Sequence, residues 1–146
     1  MKSTEIGALD RFISPDVILL LGRVLFSLIF IWSGWAKITS FSGTEAYMAQ
    51  LGVPLPSVAL VIEIILEFGG GLALFLGVFA RLASLGLIVH TVLVSLFVHT
   101  FWSVPPDQAL EQIIQLMKNV SIVGGLLYIN VQGAGGLSLS RILQRN

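Results

Sequence analysis

Nine polar side chains interrupt the long apolar runs of this chain: Arg23, Glu63, Glu67, His90, Lys118 and Asn119 well inside them, Lys37, His99 and Gln115 nearer their ends. An ionised group at the centre of a bilayer costs about 2.5–3.5 kcal/mol on insertion scales. So many exceptions need a shared explanation. Paired acids and bases in a low-dielectric interior suit the passage of a proton or the holding of a polar headgroup, and they equally suit ion pairs that fix helix register.

The spacing assigns these groups to seams. At about 100° per residue, Arg23, Ser27, Phe30, Gly34 and Lys37 fall on one stripe of a helix, and Glu63, Glu67, Gly70, Gly71 and Leu74 fall on one stripe of another. Both carboxylates therefore share a face. Counting about 1.5 Å per residue from the span ends puts Glu63 and Lys118 each roughly 9 Å below the outer surface, Glu67 roughly 15 Å below it, and Arg23 roughly 9 Å above the inner one. Depth thus pairs Lys118 with Glu63, and the long guanidinium arm of Arg23 with Glu67. Two carboxylates one turn apart in a low dielectric cannot both ionise unless cations balance them.

The histidines, nine residues apart, point to opposite sides of one helix. His99 lies on the stripe of Ser84, Thr91, Ser95, Val98 and Trp102 and is expected in the outer polar cluster; His90 falls off it and is expected to make a structural hydrogen bond at a helix contact. Opposed imidazoles on one helix cannot ligate one haem iron without a second subunit. The sequence shows no convergent zinc or copper ligands and no nucleophilic triad. Gly69-Gly70-Gly71 and Gly124-Gly125 suit close helix packing, not a phosphate loop, for no strand precedes them and no Lys-Ser/Thr follows. Gln112, Gln115, Lys118 and Asn119 share about a third of their helix circumference, and with Trp35 and Trp102 they could line a pocket with polar donors at one end and aromatic walls at the other. A quinone headgroup or similar amphiphile suits such a pocket; a wet, empty vestibule is the alternative.

The elements that position these residues are membrane spans. The 146 residues are 55% hydrophobic and 11% charged, with eight basic and eight acidic residues and no cysteine. That composition excludes a water-soluble globule, a nucleic-acid partner, disulfides, thiolate metal sites and c-type haem. The apolar blocks predict an all-α, integral membrane four-helix bundle with spans over about 17–36, 57–79, 82–101 and 112–131, forming a single domain over residues 1–146. Ser14-Pro15-Asp16 marks the start of the first span, which contains Arg23, lacks a cleavage site and is read as retained rather than as a signal peptide. Ser42-Gly43-Thr44-Glu45 has capping-box spacing and opens a short helix through Gln50; Ala80-Arg81 reads as the tight turn between the second and third spans. Ile6, Leu9, Phe12 and Ile13 make a weakly amphipathic segment. Lys2, Arg11, Arg81, Arg141 and Arg145 on one side, against Lys37 on the other, place both termini in the cytoplasm, with Trp32, Trp35 and Trp102 near the outer interface.

The order of residues also resembles the DoxX family. Arg23, Phe30, Ser33-Gly34 and Lys37 are followed by Gly43-Thr44, Tyr47, Leu51-Gly52-Val53-Pro54-x-Pro56, Glu67, Gly70, Leu76-Gly77 and Arg81. Then come His99, Trp102, Lys118-Asn119, Gly124-Gly125 and Gly133-x-Gly135-x-Leu137-Ser138-Leu139. The resemblance spans about Leu20 to Arg141 and leaves Glu63 as an additional acid. It implies a four-helix bacterial inner-membrane protein and an association with membrane oxidoreductase systems, including thiosulfate:quinone chemistry and an oxidative-stress complex. A small subunit of quinone-linked metabolism, with the lipid bilayer and membrane redox proteins as partners, is the expectation. A non-enzymatic permease or assembly partner, whose charges only specify packing, is the competing one.

Overall fold

The computed structural model describes residues 14–144, and its regular elements are helices: α1 (Pro15–Thr39), α2 (Phe41–Gln50), α3 (Pro56–Leu76), α4 (Ala80–Phe97), α5 (Pro106–Gln132) and α6 (Leu139–Leu143). The expected segment at Ile6 to Ile13 and the cationic residues Lys2, Arg11 and Arg145 lie outside the described residues. Four of the helices, α1, α3, α4 and α5, are long and apolar enough to cross a bilayer. The expected all-α membrane bundle is therefore present, with shifted ends.

Each shift has a local cause. Ser14 Oγ accepts from the Val17 N–H at 3.3 Å and Pro15 occupies the first turn, so α1 starts at its cap; its apolar stripe carries it to Thr39. Helix α3 stops at Leu76 because Gly77, at φ 71°, lets the Gly77 and Val78 N–H groups return to the Leu74 and Ala73 carbonyls at 3.1 and 2.9 Å. The tight turn is thus Gly77-Val78-Phe79, not Ala80-Arg81, and both latter residues are already helical. Pro106 opens α5 six residues before the apolar block. The capping box at Ser42 does not form: α2 starts at Phe41 behind Ser40, and Glu45 instead accepts from Ser57 Oγ, tying α2 to the head of α3.

Close backbone approach sets the packing. A Cβ on Gly34 would fall 2.7–2.9 Å from the Cβ, N and Cα of Phe68, and one on Gly71 would fall 3.0 Å from Phe30 and Ile31. Gly70 faces Leu87 of α4, and Gly125 faces the Phe26 ring, whereas Gly69 and Gly124 face open space. Each glycine run thus contributes packing through only some of its members. The buried apolar centre is Phe30, Leu74, Ala80, Leu87 and Leu126. Helix α3 packs between α1 and α4, and α4 packs between α3 and α5. Helices α1 and α5 share little beyond Phe26 over Gly125.

Inside α3, Ile65–Gly69 form a π turn with Glu67 at its middle. Such turns insert one residue into the helical repeat and recur at functional sites.

Candidate functional site

The polar centre is built from three helices. The Lys37 ammonium of α1 donates to Glu67 Oε2 at 2.5 Å, to Ser33 Oγ at 3.0 Å and contacts Glu63 Oε1 at 3.1 Å, so its three protons have three acceptors. The other oxygen of Glu67 lies 2.9 Å from His90 Nε2 of α4. Exposure falls along this chain, from 18–19% for the Lys37 and Glu63 side chains to 8% for Glu67 and His90. Glu67 is therefore a buried bridge between an ammonium and an imidazole, while Glu63 and Lys37 retain contact with the surroundings.

Antiparallel register explains why these residues meet. Gly34 lies against Phe68 and Ile31 against Gly71; continuing that alignment sets Lys37 level with Ile65, between the two carboxylates. Helix α3 thus projects well beyond the end of α1 and runs beside α2. The same alignment carries Arg23 to the far end of α3, where its guanidinium packs against Gly77 and Nη2 donates to the Leu137 carbonyl at 2.9 Å. The expected pair of Arg23 with Glu67 is therefore wrong. Arg23 and Lys37 are fourteen residues apart on one helix, about 21 Å, which no side chain or bridging water closes.

The expected pair of Lys118 with Glu63 is wrong as well. Lys118 is exposed and donates to Gln115 Oε1 at 3.3 Å, one residue around the helix from the inward position held by Asn119. Asn119 donates to Ser95 Oγ at 3.0 Å, and His99 Nδ1 lies 3.1 Å from Gln112 Oε1. Asn130 closes the opposite end of the α4–α5 seam with a 3.0 Å bond to Ser84 Oγ. These contacts form a second polar lane, separate from the carboxylates. The single cluster expected from sequence is thus divided: Lys37, Glu63, Glu67 and His90 lie on one side of α4 and Ser95, His99, Gln112 and Asn119 on the other, with Lys118 and Gln115 paired outside them and Arg23 apart from both.

Lys37 and His90 are the residues that sequence reasoning left out of the central cluster. A first span that ends at Ala36 leaves Lys37 at the outer edge, whereas the helix runs on to Thr39. His90 does make a hydrogen bond at a helix contact, but the acceptor is the central carboxylate. A helix flanked on two sides has two inward faces, and His90 lies on the one toward α3, with Leu87. That signal was present in the sequence as a histidine in phase with Leu87.

The expected pocket walled by Trp35 and Trp102 is not assembled. Trp102 stacks edge-on with Phe101 at 5.1 Å, while Trp35 lies 6.3 Å from the Phe68 ring. Trp35 and Phe68 join Leu28, Ile31 and Trp32 in an apolar groove of about 600 Å³ on the outside of α1 and α3. One ligand atom each from Glu63, Glu67 and His90 comes within 4.8 Å of the others, a convergence the sequence reading did not find. The Lys37 ammonium touches both carboxylates, so a cation already stands at the face they share.

An all-helical membrane bundle whose buried centre is a lysine, two glutamates and a histidine defines the class of this protein. Residues 18–100 match the sequence profile of the DoxX family, and the chain belongs to that family. It is similar to inner membrane protein YphA of Escherichia coli strain K12, with 36% identity over 125 residues covering 86% of this chain and 89% of that protein. It is similar also to inner membrane protein YqjF of the same organism, with 36% identity over 130 residues covering 89% of this chain and 95% of that one. No solved structure matches the chain.

Proposed function

We propose that this DoxX-family inner membrane protein is a small subunit or accessory of a quinone-linked membrane system, and that the cluster of Lys37, Glu63, Glu67 and His90 passes a proton. One observation carries the reading. Two carboxylates meet one ammonium in a low dielectric, and His90 Nε2 stands 2.9 Å from the free oxygen of Glu67, where a proton shared between them would balance the second acid. A group that must hold a proton to remain buried is one that can release it when its surroundings change. Phe68, next to Glu67 in the π turn, is also a wall of the aromatic groove, so a lipophilic ring seated there lies one residue from the carboxylate. The Arg81 and Arg141 end of the bundle is the cytoplasmic one in this reading.

A packing role is favoured by a different fact: each member of the cluster has a partner in the helices described, as a device that only fixes register requires. Glu67→Gln separates the two. The full chain is purified in mild detergent from its native membrane, and co-purifying lipophilic molecules and proteins are identified by mass spectrometry for the parent and the variant. The proton reading expects a quinone or a redox partner with the parent, and a folded variant that loses quinone-dependent turnover. A parent that carries neither, or a variant that merely fails to fold, supports packing alone.

A further inference from the structure

Arg23 is the buried charge that the proton cluster does not use. It is 3% exposed, and its only hydrogen bond among the described residues is the one from Nη2 to the Leu137 carbonyl. Nε and Nη1 have no partner, and no carboxylate of the described residues lies within ion-pair distance. Asp16, seven residues before it on α1, accepts from the Gly136 N–H at 2.7 Å. A buried guanidinium with donors unmet and no counter-charge costs several kcal/mol, and native interiors rarely leave such a group alone.

Beside it runs a crevice of about 340 Å³, where α1 and α5 part company. Its walls are Ile18, Leu19, Gly22, Phe26, Tyr128 and Ile129, and Arg23 stands in its lining. Ile18 and Tyr128 are widely exposed, so the crevice opens sideways, toward acyl chains rather than toward the bundle axis. A second guanidinium flanks the inner rim: Arg81 Nη2 donates to the Val131 carbonyl at 3.3 Å, and its Nε packs near Gly133. Two cations thus border an apolar slot, with Asp16 already engaged elsewhere.

We infer that this crevice is a binding site for an anionic phospholipid, with one acyl chain between α1 and α5 and the phosphate on the Arg23 guanidinium. The apolar walls suit the chain; the unbalanced cation suits a headgroup of net negative charge, because a zwitterionic lipid brings its own ammonium to compete. In the structure the guanidinium is covered, packed on Gly77 and bonded to the Leu137 carbonyl, so lipid binding as proposed includes its turning from that place into the slot to meet the phosphate. The site lies at the end of the bundle opposite Lys37 and does not depend on the proton reading.

The test is native mass spectrometry of the full chain in mixed micelles holding either phosphatidylglycerol or phosphatidylcholine. The parent is expected to retain phosphatidylglycerol about tenfold more tightly than phosphatidylcholine, the scale of one charge-assisted hydrogen bond, and Arg23→Gln to abolish the difference. Should that variant not fold, Gly22→Leu decides: Gly22 lines the slot and a Cβ there meets nothing within 4 Å, so a leucine starts in open space and is expected to occupy the slot and expel the lipid while leaving Arg23 in place. Equal retention of the two lipids, undiminished phosphatidylglycerol in Gly22→Leu, or displacement of the lipid by millimolar inorganic phosphate alone each overturns the assignment.

Discussion

Replacing Lys37 by methionine removes the cation that both carboxylates share, at 3.1 Å from Glu63 and 2.5 Å from Glu67. Breaking a buried ion pair from one side costs about 3–5 kcal/mol in soluble proteins. Polar contacts inside membrane bundles are smaller, about 0.6 kcal/mol on average and about 1.7 at most, because the unfolded chain in lipid finds partners of its own. Lys37 is 18% exposed, which screens the charge further, so we expect a loss near 2 kcal/mol, between those limits. Adding Glu67→Gln then removes one of the two carboxylates that have lost their shared ammonium. The double variant should be more stable than the sum of the singles predicts, with a coupling of about 1–2 kcal/mol against an additivity error of about 0.3–0.5. Equilibrium unfolding in bicelles, followed by tryptophan fluorescence, measures all four corners of the cycle. The control cycle of Arg23→Gln with Glu67→Gln should be additive. Additivity of Lys37 with Glu67, or coupling of Arg23 with Glu67, would refute the register on which the cluster rests.

Gly34→Leu drives a side chain into the Phe68 backbone and should destabilise the bundle by about 1–3 kcal/mol, read as a lowered midpoint in the same unfolding assay. Asn119→Leu removes the 3.0 Å bond to Ser95 and should cost about 0.6–1.7 kcal/mol, and Ser95→Ala should then cost less than it does in the parent, because only its bond to the Thr91 carbonyl is left to lose. Asp16→Asn weakens the acceptor for the Gly136 N–H and should raise hydrogen exchange across Gly133 to Ser138 while leaving α1 protected; unchanged exchange there counts against the tether. Because the chain has no cysteine, single cysteines at Thr44 and Ser140 report orientation directly. An impermeant maleimide should label the first and not the second in intact cells, following the cationic bias.

The spans were legible in the sequence because apolar length and cap chemistry are local properties. Ser14-Pro15 and Pro105-Pro106 sit where α1 and α5 begin, and the seam from Arg23 through Gly34 is the buried face of α1. What could not be read was the vertical offset between neighbouring helices. Measuring depth from span ends assumes that the ends are level, and α3 rises beyond α1 because Gly34 and Gly71 choose the contact that brings the backbones closest. An error of about two turns in that offset exchanged Lys37 for Arg23 as the partner of Glu67. The two inward faces of α4 were hidden for a related reason: a single stripe describes a helix with one neighbour, and His90 serves the second. Lys118 and Asn119 differ by one position, and only the α4–α5 register decides that the amide, not the ammonium, turns inward.

The π turn at Ile65–Gly69 gives the chain a place where its length is negotiable. Excising one residue there would restore an ordinary α-helical repeat and, because the wide turn already absorbs the extra residue, leave the halves of α3 on either side close to their present phase. Glu63 would keep its place beside Lys37, and Ser57 its tether to α2. A shortened chain of that kind would insert and span as before, having lost only the wide turn that now carries Glu67.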